Sequence, residues 1–165
     1  MVCGFVGSIL EIEAISFPAV EAKGKLRFNQ TAGSMAKDSV FNAASVVRLL
    51  TGLDISDYDI HVNVVGGGNI DGPSAGAAIT LAIISCLLQR PIRQDVAVTG
   101  EVSIQGKIKA VGGIFEKIYG AKQAGISLVY VPQENKSDIP SVLDGIKVKT
   151  AVTIKDLMDE IFIIQ

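Results

Sequence analysis

Residues 71–88 read Asp-Gly-Pro-Ser-Ala-Gly-Ala-Ala-Ile-Thr-Leu-Ala-Ile-Ile-Ser-Cys-Leu-Leu. From Ala75 to Leu88 no charged side chain appears, so a helix over this stretch has no polar face to turn toward water and belongs in the middle of a core. It is shorter than the roughly 18 apolar residues that mark a membrane span, and Gly76 and Thr80 interrupt it. A buried central helix is the expectation. Pro73 suits the start of that helix, which leaves Ser74 in its first turn. Two roles fit a hydroxyl there. The unpaired amides and the positive dipole end of a first turn favour a developing oxyanion, as acyl transfer requires; a serine at a helix start is also the ordinary N-cap.

Working outward, residues 5–17 and 24–30 are rich in Ile, Val and Phe, with Leu10, Ile12 and Ala14 alternating against Glu11, Glu13 and Ile15. They read as two strands forming an opening hairpin around Pro18 to Gly24. Val40, Phe41, Ala44, Val47 and Leu50 recur at helical spacing between Ser34, a possible cap, and Gly52, a stop. Ile60, Val62 and Val64 alternate with His61 and Asn63 in a half-buried strand that runs into Gly66-Gly67-Gly68-Asn69. Strand character returns over 96–98 and, with breaks, over 102–111. Gly112-Gly113 then opens a helix from Ile114 to Ala124, stopped by Gly125, with Lys117 at its centre. Residues 128–131 and 146–152 read as strands, and Thr153 caps a last helix. The interleaving, with an antiparallel opening, predicts a mixed α+β architecture in a single domain over 1–165.

The 165 residues carry 15 Lys plus Arg against 17 Asp plus Glu, and the net charge of -2 comes without a basic run, so nucleic acid is not expected as a partner. Cys3 and Cys86 lack metal-ligand spacing and His61 is the one histidine, which excludes a zinc site of the usual kind. The two cysteines read as small core hydrophobes in a reducing compartment. The N-terminus has no basic segment ahead of an apolar one and does not read as a signal peptide.

A nucleophilic serine needs a base. His61 alternates away from the apolar face of its strand, so lysine is the remaining candidate, and a lysine serves only when desolvation or cationic neighbours depress its pKa. Lys117, near Ile114, Phe115 and Ile118, is the position to consider. Its ordinary reading is a solvated helix-face lysine.

Three blocks, Asp71-Gly72-Pro73-Ser74-Ala75-Gly76, Thr99-Gly100-Glu101-Val102 and Gly112-Gly113-Ile114-Phe115-Glu116-Lys117, resemble the proteolytic domain of Lon proteases in order and separation. The similarity runs from Leu10 to the last helix. The resemblance implies a serine endopeptidase with a Ser-Lys dyad, Ser74 as nucleophile and Lys117 as general base. It also implies unfolded or damaged proteins as substrates, a hexameric ring, and an AAA+ module that pulls substrate inward at the expense of ATP. By motif position Thr99 would hold the lysine amine. Glu101 would shape the site or a subunit contact. Asp71 would either pair with Lys117, holding the site inactive, or cap the helix start.

The Gly66-Gly67-Gly68 loop resembles the B-type and C-type branches, and Asn63 stands where a histidine is often found. No cofactor is expected in this chain. Gly100 to Lys107 has one residue too many for a phosphate loop and lacks the following Ser or Thr, so ATP and magnesium belong to the AAA+ module. The start at Met1 reads as a domain cut from a longer chain or a stand-alone Lon-like protein, and the compartment as cytoplasm. The alternative function is a catalytically silent Lon-like module that oligomerises or binds peptides; a phosphate binder on the Gly66 loop ranks below it.

Overall fold

The computed structural model describes residues 2–5, 9–28, 34–65 and 73–163. Its seven-stranded sheet runs in the order β3-β4-β2-β1-β5-β8-β9, with a separate β6-β7 pair. The strands are β1 (Val2–Phe5), β2 (Ile9–Pro18), β3 (Leu26–Phe28), β4 (Tyr58–Val65), β5 (Val96–Val98), β6 (Glu101–Val102), β7 (Ile108–Lys109), β8 (Leu128–Pro132) and β9 (Lys147–Ala151). The helices are α1 (Ser34–Thr51), α2 (Gly76–Leu88), α3 (Ile114–Gln123) and α4 (Ile154–Ile161). Antiparallel pairing joins β1, β2 and β4, and parallel pairing joins the rest of the large sheet. The mixed α+β expectation holds.

The expected opening hairpin does not. β2 pairs antiparallel with β1 and β4, while β3 lies parallel to β4 on its far side. The connection after β2 explains this. Ala19 N donates to Asp57 O (2.8 Å) and Gly24 N to Ser56 O (2.7 Å), laying residues 19–24 across the start of β4. A Cβ on Gly24 would fall 2.0 Å from Tyr58 O, so only glycine permits that approach. The chain thus crosses to the outer edge of β4 before β3 begins.

α2 is the predicted central helix: Gly76 to Ile84 are all buried. Each of Ile79, Leu81, Ile83 and Ile84 contributes roughly 1.5–3 kcal/mol relative to an exposed position. α1 packs on it with Ala43, Val46 and Val47 rather than with Phe41, which is 65% exposed. The turn of α1 that meets α2 is also tied by Asn42 Nδ2, which donates to Val102 O (3.1 Å). α4 begins with a reciprocal cap between Thr153 and Asp156, as the sequence suggests.

Strand alternation divides the core in two. Val96 and Val98 of β5, with Leu128 and Tyr130 of β8, join α2 and α4 in the larger cluster. Ala97, Val129 and Val131 point the other way and pack on Ile114, Ile118 and Ala121 of α3. Among the described residues no helix is long and apolar enough to cross a membrane.

Candidate active site

Ser74 lies in a single 3-10 turn, Pro73–Ala75, that feeds α2. The N-cap of α2 is Ala75, which has no side-chain cap bond, so Ser74 does not serve as the N-cap that its position suggests. The turn is laced to the end of β5. Gly100 N donates to Ser74 O (3.0 Å), Thr99 Oγ1 reaches the same carbonyl at 3.5 Å, and Ala77 N donates to Gly100 O (3.0 Å). Thr99 is 1% exposed, and its N–H donates to Tyr130 O, extending the β5-β8 ladder by one step.

Gly100 makes this close approach possible. Its φ is +154°, and a Cβ there would sit 2.4 Å from Ile108 Cγ2. Gly100→Ala is therefore expected to destabilise the chain by about 1–3 kcal/mol through overpacking, and to pull the Ser74 carbonyl out of register. A denaturant midpoint equal to that of the parent chain would contradict this account.

Lys117 arrives from the other face of the sheet. Gly113 adopts the left-handed conformation (φ 68°) that starts α3, and its carbonyl accepts from Lys117 N at 3.0 Å. The sequence left the centre of this helix looking exposed, yet Lys117 is only 6% exposed. It shares the stripe of Ile114, Ile118 and Ala121, whose partner Ala97 lies two residues before Thr99. Burial lowers the ammonium below its ordinary lysine value, against the upward pull of the neighbouring Glu116 carboxylate. Phe115, expected beside it, faces outward.

Hydrogen bonds thus join Ser74 and Thr99, and Ile114, Ile118 and Ala121 of the helix that carries Lys117 share a cluster with Ala97 of β5, two residues before Thr99. Glu101 is half-buried in β6, directly after that lacing. Asp71 and the Gly66-Gly67-Gly68-Asn69 loop lie outside the described residues. Cys86 is half-buried and burial raises its thiol, as suits a packing residue.

One contributor escaped the sequence. Asn135, 4% exposed, accepts from Val111 N and donates to Val111 O, both at 2.9 Å, and donates to Asp138 Oδ2 at 2.8 Å. It clamps the backbone just before Gly112-Gly113 and so sets where α3 begins. A polar residue between two charged neighbours gives no sign that it is buried.

The match to the Lon protease (S16) C-terminal proteolytic domain extends over residues 2–164. The chain belongs to that family. Lon protease 2 of Bacillus subtilis is 41% identical over 171 residues, which covers 95% of this chain and 31% of that protein. The Lon protease of Haemophilus influenzae is 39% identical, covering 94% of this chain and 20% of that protein. The archaeal Lon protease of Thermococcus kodakarensis is 36% identical, with 93% and 25% covered. The chain therefore spans about a third or less of the length of these curated Lon relatives. Bacterial and archaeal Lon proteins match it about equally, which singles out neither branch.

Proposed function

We infer that this chain is a serine endopeptidase domain acting through Ser74 and Lys117. The neutral Lys117 amine takes the Ser74 Oγ proton as Oγ attacks the scissile carbonyl. Amides at the start of α2 and the positive end of its dipole hold the oxyanion. The Ala77 amide is committed to Gly100 O, so the donors come from the turn ahead of it. The Lys117 ammonium then returns its proton to the leaving amine, and water, deprotonated by the same amine, releases the acyl group. Thr99 and Glu101 support the site, Thr99 through the hydroxyl that would steady the lysine. No metal or organic cofactor takes part in this scheme.

The observation that supports the reading best is the burial of Lys117 in a protein of this family. An ammonium among Ile114, Ile118 and Ala121 is costly unless the neutral amine is the form put to use. In the whole protein the substrates would be unfolded polypeptides, delivered into a six-membered ring in the cytoplasm by an AAA+ module that consumes ATP.

The test is hydrolysis of unstructured casein and a fluorogenic peptide, followed by treatment with a serine-directed fluorophosphonate. Turnover indifferent to ATP, with the label recovered on the Ser74 peptide, is expected. A chain inert and unlabelled in both monomeric and ring-sized fractions would instead support a silent platform.

A further inference from the structure

Ser74 and Lys117 are both tied to β8, each by its own route. On the Ser74 side, Tyr130 O accepts from Thr99 N, while Gly100 N and Thr99 Oγ1 reach the Ser74 carbonyl. On the Lys117 side, β8 runs through Pro132 straight into the 3-10 turn Gln133–Asp138, which grips the chain ahead of α3.

That grip is made by side chains. Glu134 Oε1 meets Lys109 Nζ at 2.9 Å, and the Ala110 amide donates to the same carboxylate. Asn135 takes the next residue by both main-chain atoms, its Oδ1 accepting from Val111 N and its Nδ2 donating to Val111 O. The two contacts differ in weight. The Glu134 pair lies at the surface, where an ion pair contributes little, whereas Asn135 is buried. Asp138 Oδ2 accepts the second Nδ2 hydrogen at 2.8 Å, which fixes which way the amide is turned. Among the described residues no main-chain group bonds either Val111 N or Val111 O.

Between this clamp and α3 stand two glycines. A Cβ on Gly112 would meet nothing within 4 Å, and Gly113 adopts the left-handed φ of 68° at which its carbonyl accepts from Lys117 N. Glycine does not hold its own backbone in one conformation, so Val111 is the last fixed point before the turn that carries the lysine. Packing of Ile114, Ile118 and Ala121 against Ala97, Val129 and Val131 decides which face of α3 is buried. Apolar contact is non-directional and sets the place of the helix along the sheet only loosely. Directed bonds at Val111 set it closely.

We propose that Asn135 is a positioning residue of the peptidase: by clamping both main-chain atoms of Val111 to the end of β8, it sets the first turn of α3 so that the Lys117 amine meets the Ser74 hydroxyl held from the same strand. This rests on the Ser74 and Lys117 reading above.

The variant that tests it is Asn135→Asp, which keeps the volume and the acceptor for Val111 N but sets a carboxylate oxygen against Val111 O and Asp138. Adding Asp138→Asn removes the second repulsion and leaves the first. On a fluorogenic peptide, Asn135→Asp is expected to lose about 10²-fold in kcat, the scale on which a misplacement of about 1 Å acts, with KM near the parent value. Amide exchange over residues 111–117 should quicken. In the double variant the denaturant midpoint should recover toward that of the parent while kcat stays low, because Val111 O still faces a carboxylate. Ile161→Val, fully buried on α4 in the other core cluster, should lower the midpoint and leave kcat unchanged.

Recovery of kcat together with the midpoint, or an equal loss of kcat in Ile161→Val, makes Asn135 a structural residue only and overturns the proposal. Parent-like kcat in Asn135→Asp, or unchanged exchange over 111–117, does the same. In each of those cases Ser74 of the parent still takes a fluorophosphonate label and the peptidase reading stands. A parent chain that neither turns over nor labels removes the peptidase reading, and this alignment with it.

Discussion

Ser74→Ala is expected to lower kcat for peptide hydrolysis by about 10³-fold or more, the scale on which removing a nucleophile acts, while leaving the fold intact. The second half follows from the geometry. The hydrogen bonds from Gly100 N and Thr99 Oγ1 go to the Ser74 carbonyl, which alanine retains, and α2 takes its N-cap from Ala75. A serine that acted only as a helix cap would show the opposite balance, losing about 1 kcal/mol of stability and little turnover. Single-turnover hydrolysis beside a denaturant melt separates the two. Full activity in the variant would remove Ser74 from the chemistry.

Local signals of period and punctuation were legible in advance. The all-apolar run after Ser74 does become the buried helix, His61 does point away from the packed face of β4, and Gly113 and Thr153 do mark the starts of α3 and α4. What stayed hidden depends on partners distant in sequence. The strands around Pro18 look like a hairpin because adjacency usually means pairing, yet the backbone bonds from Ala19 and Gly24 to Asp57 and Ser56 carry β3 past β4. Those donors and acceptors are main-chain atoms, and side-chain pattern is blind to them. Phe41 marks a similar limit, since a helix rich in small apolar residues offers two candidate faces and only the packing of α2 chooses between them. Lys117 is the instructive case. Ile114, Ile118 and Ala121 define a stripe at spacings of four and three, and Lys117 falls on it, so its burial was available from helical arithmetic. Solvated lysines are simply far commoner.

Lys117→Met should abolish hydrolysis and stabilise the chain at once. Methionine keeps the length of the stem among Ile114, Ile118 and Ala121 but carries no amine, so the general-base contribution, about 10²–10⁴-fold, is lost. The stability effect has a definite sign. Because burial depresses the folded pKa of Lys117, between that value and the unfolded value of about 10.4 the native state binds fewer protons than the unfolded chain. Stability therefore rises with pH through that window, and below it the buried charge is a constant burden. Methionine has no such burden. Its Tm should exceed that of the parent at neutral pH, by about 2–4 °C for each kcal/mol relieved in a chain of this size, and the gap should close as pH approaches 10. The same depressed pKa puts the rising limb of the parent pH-rate profile below the ordinary lysine value. Glu116→Gln, which removes the carboxylate that pulls the amine upward, should move that limb to lower pH. A methionine variant that still hydrolyses peptide, or whose Tm gap to the parent is the same at pH 7 and pH 10, would mean that Lys117 is neither the base nor a buried charge under strain.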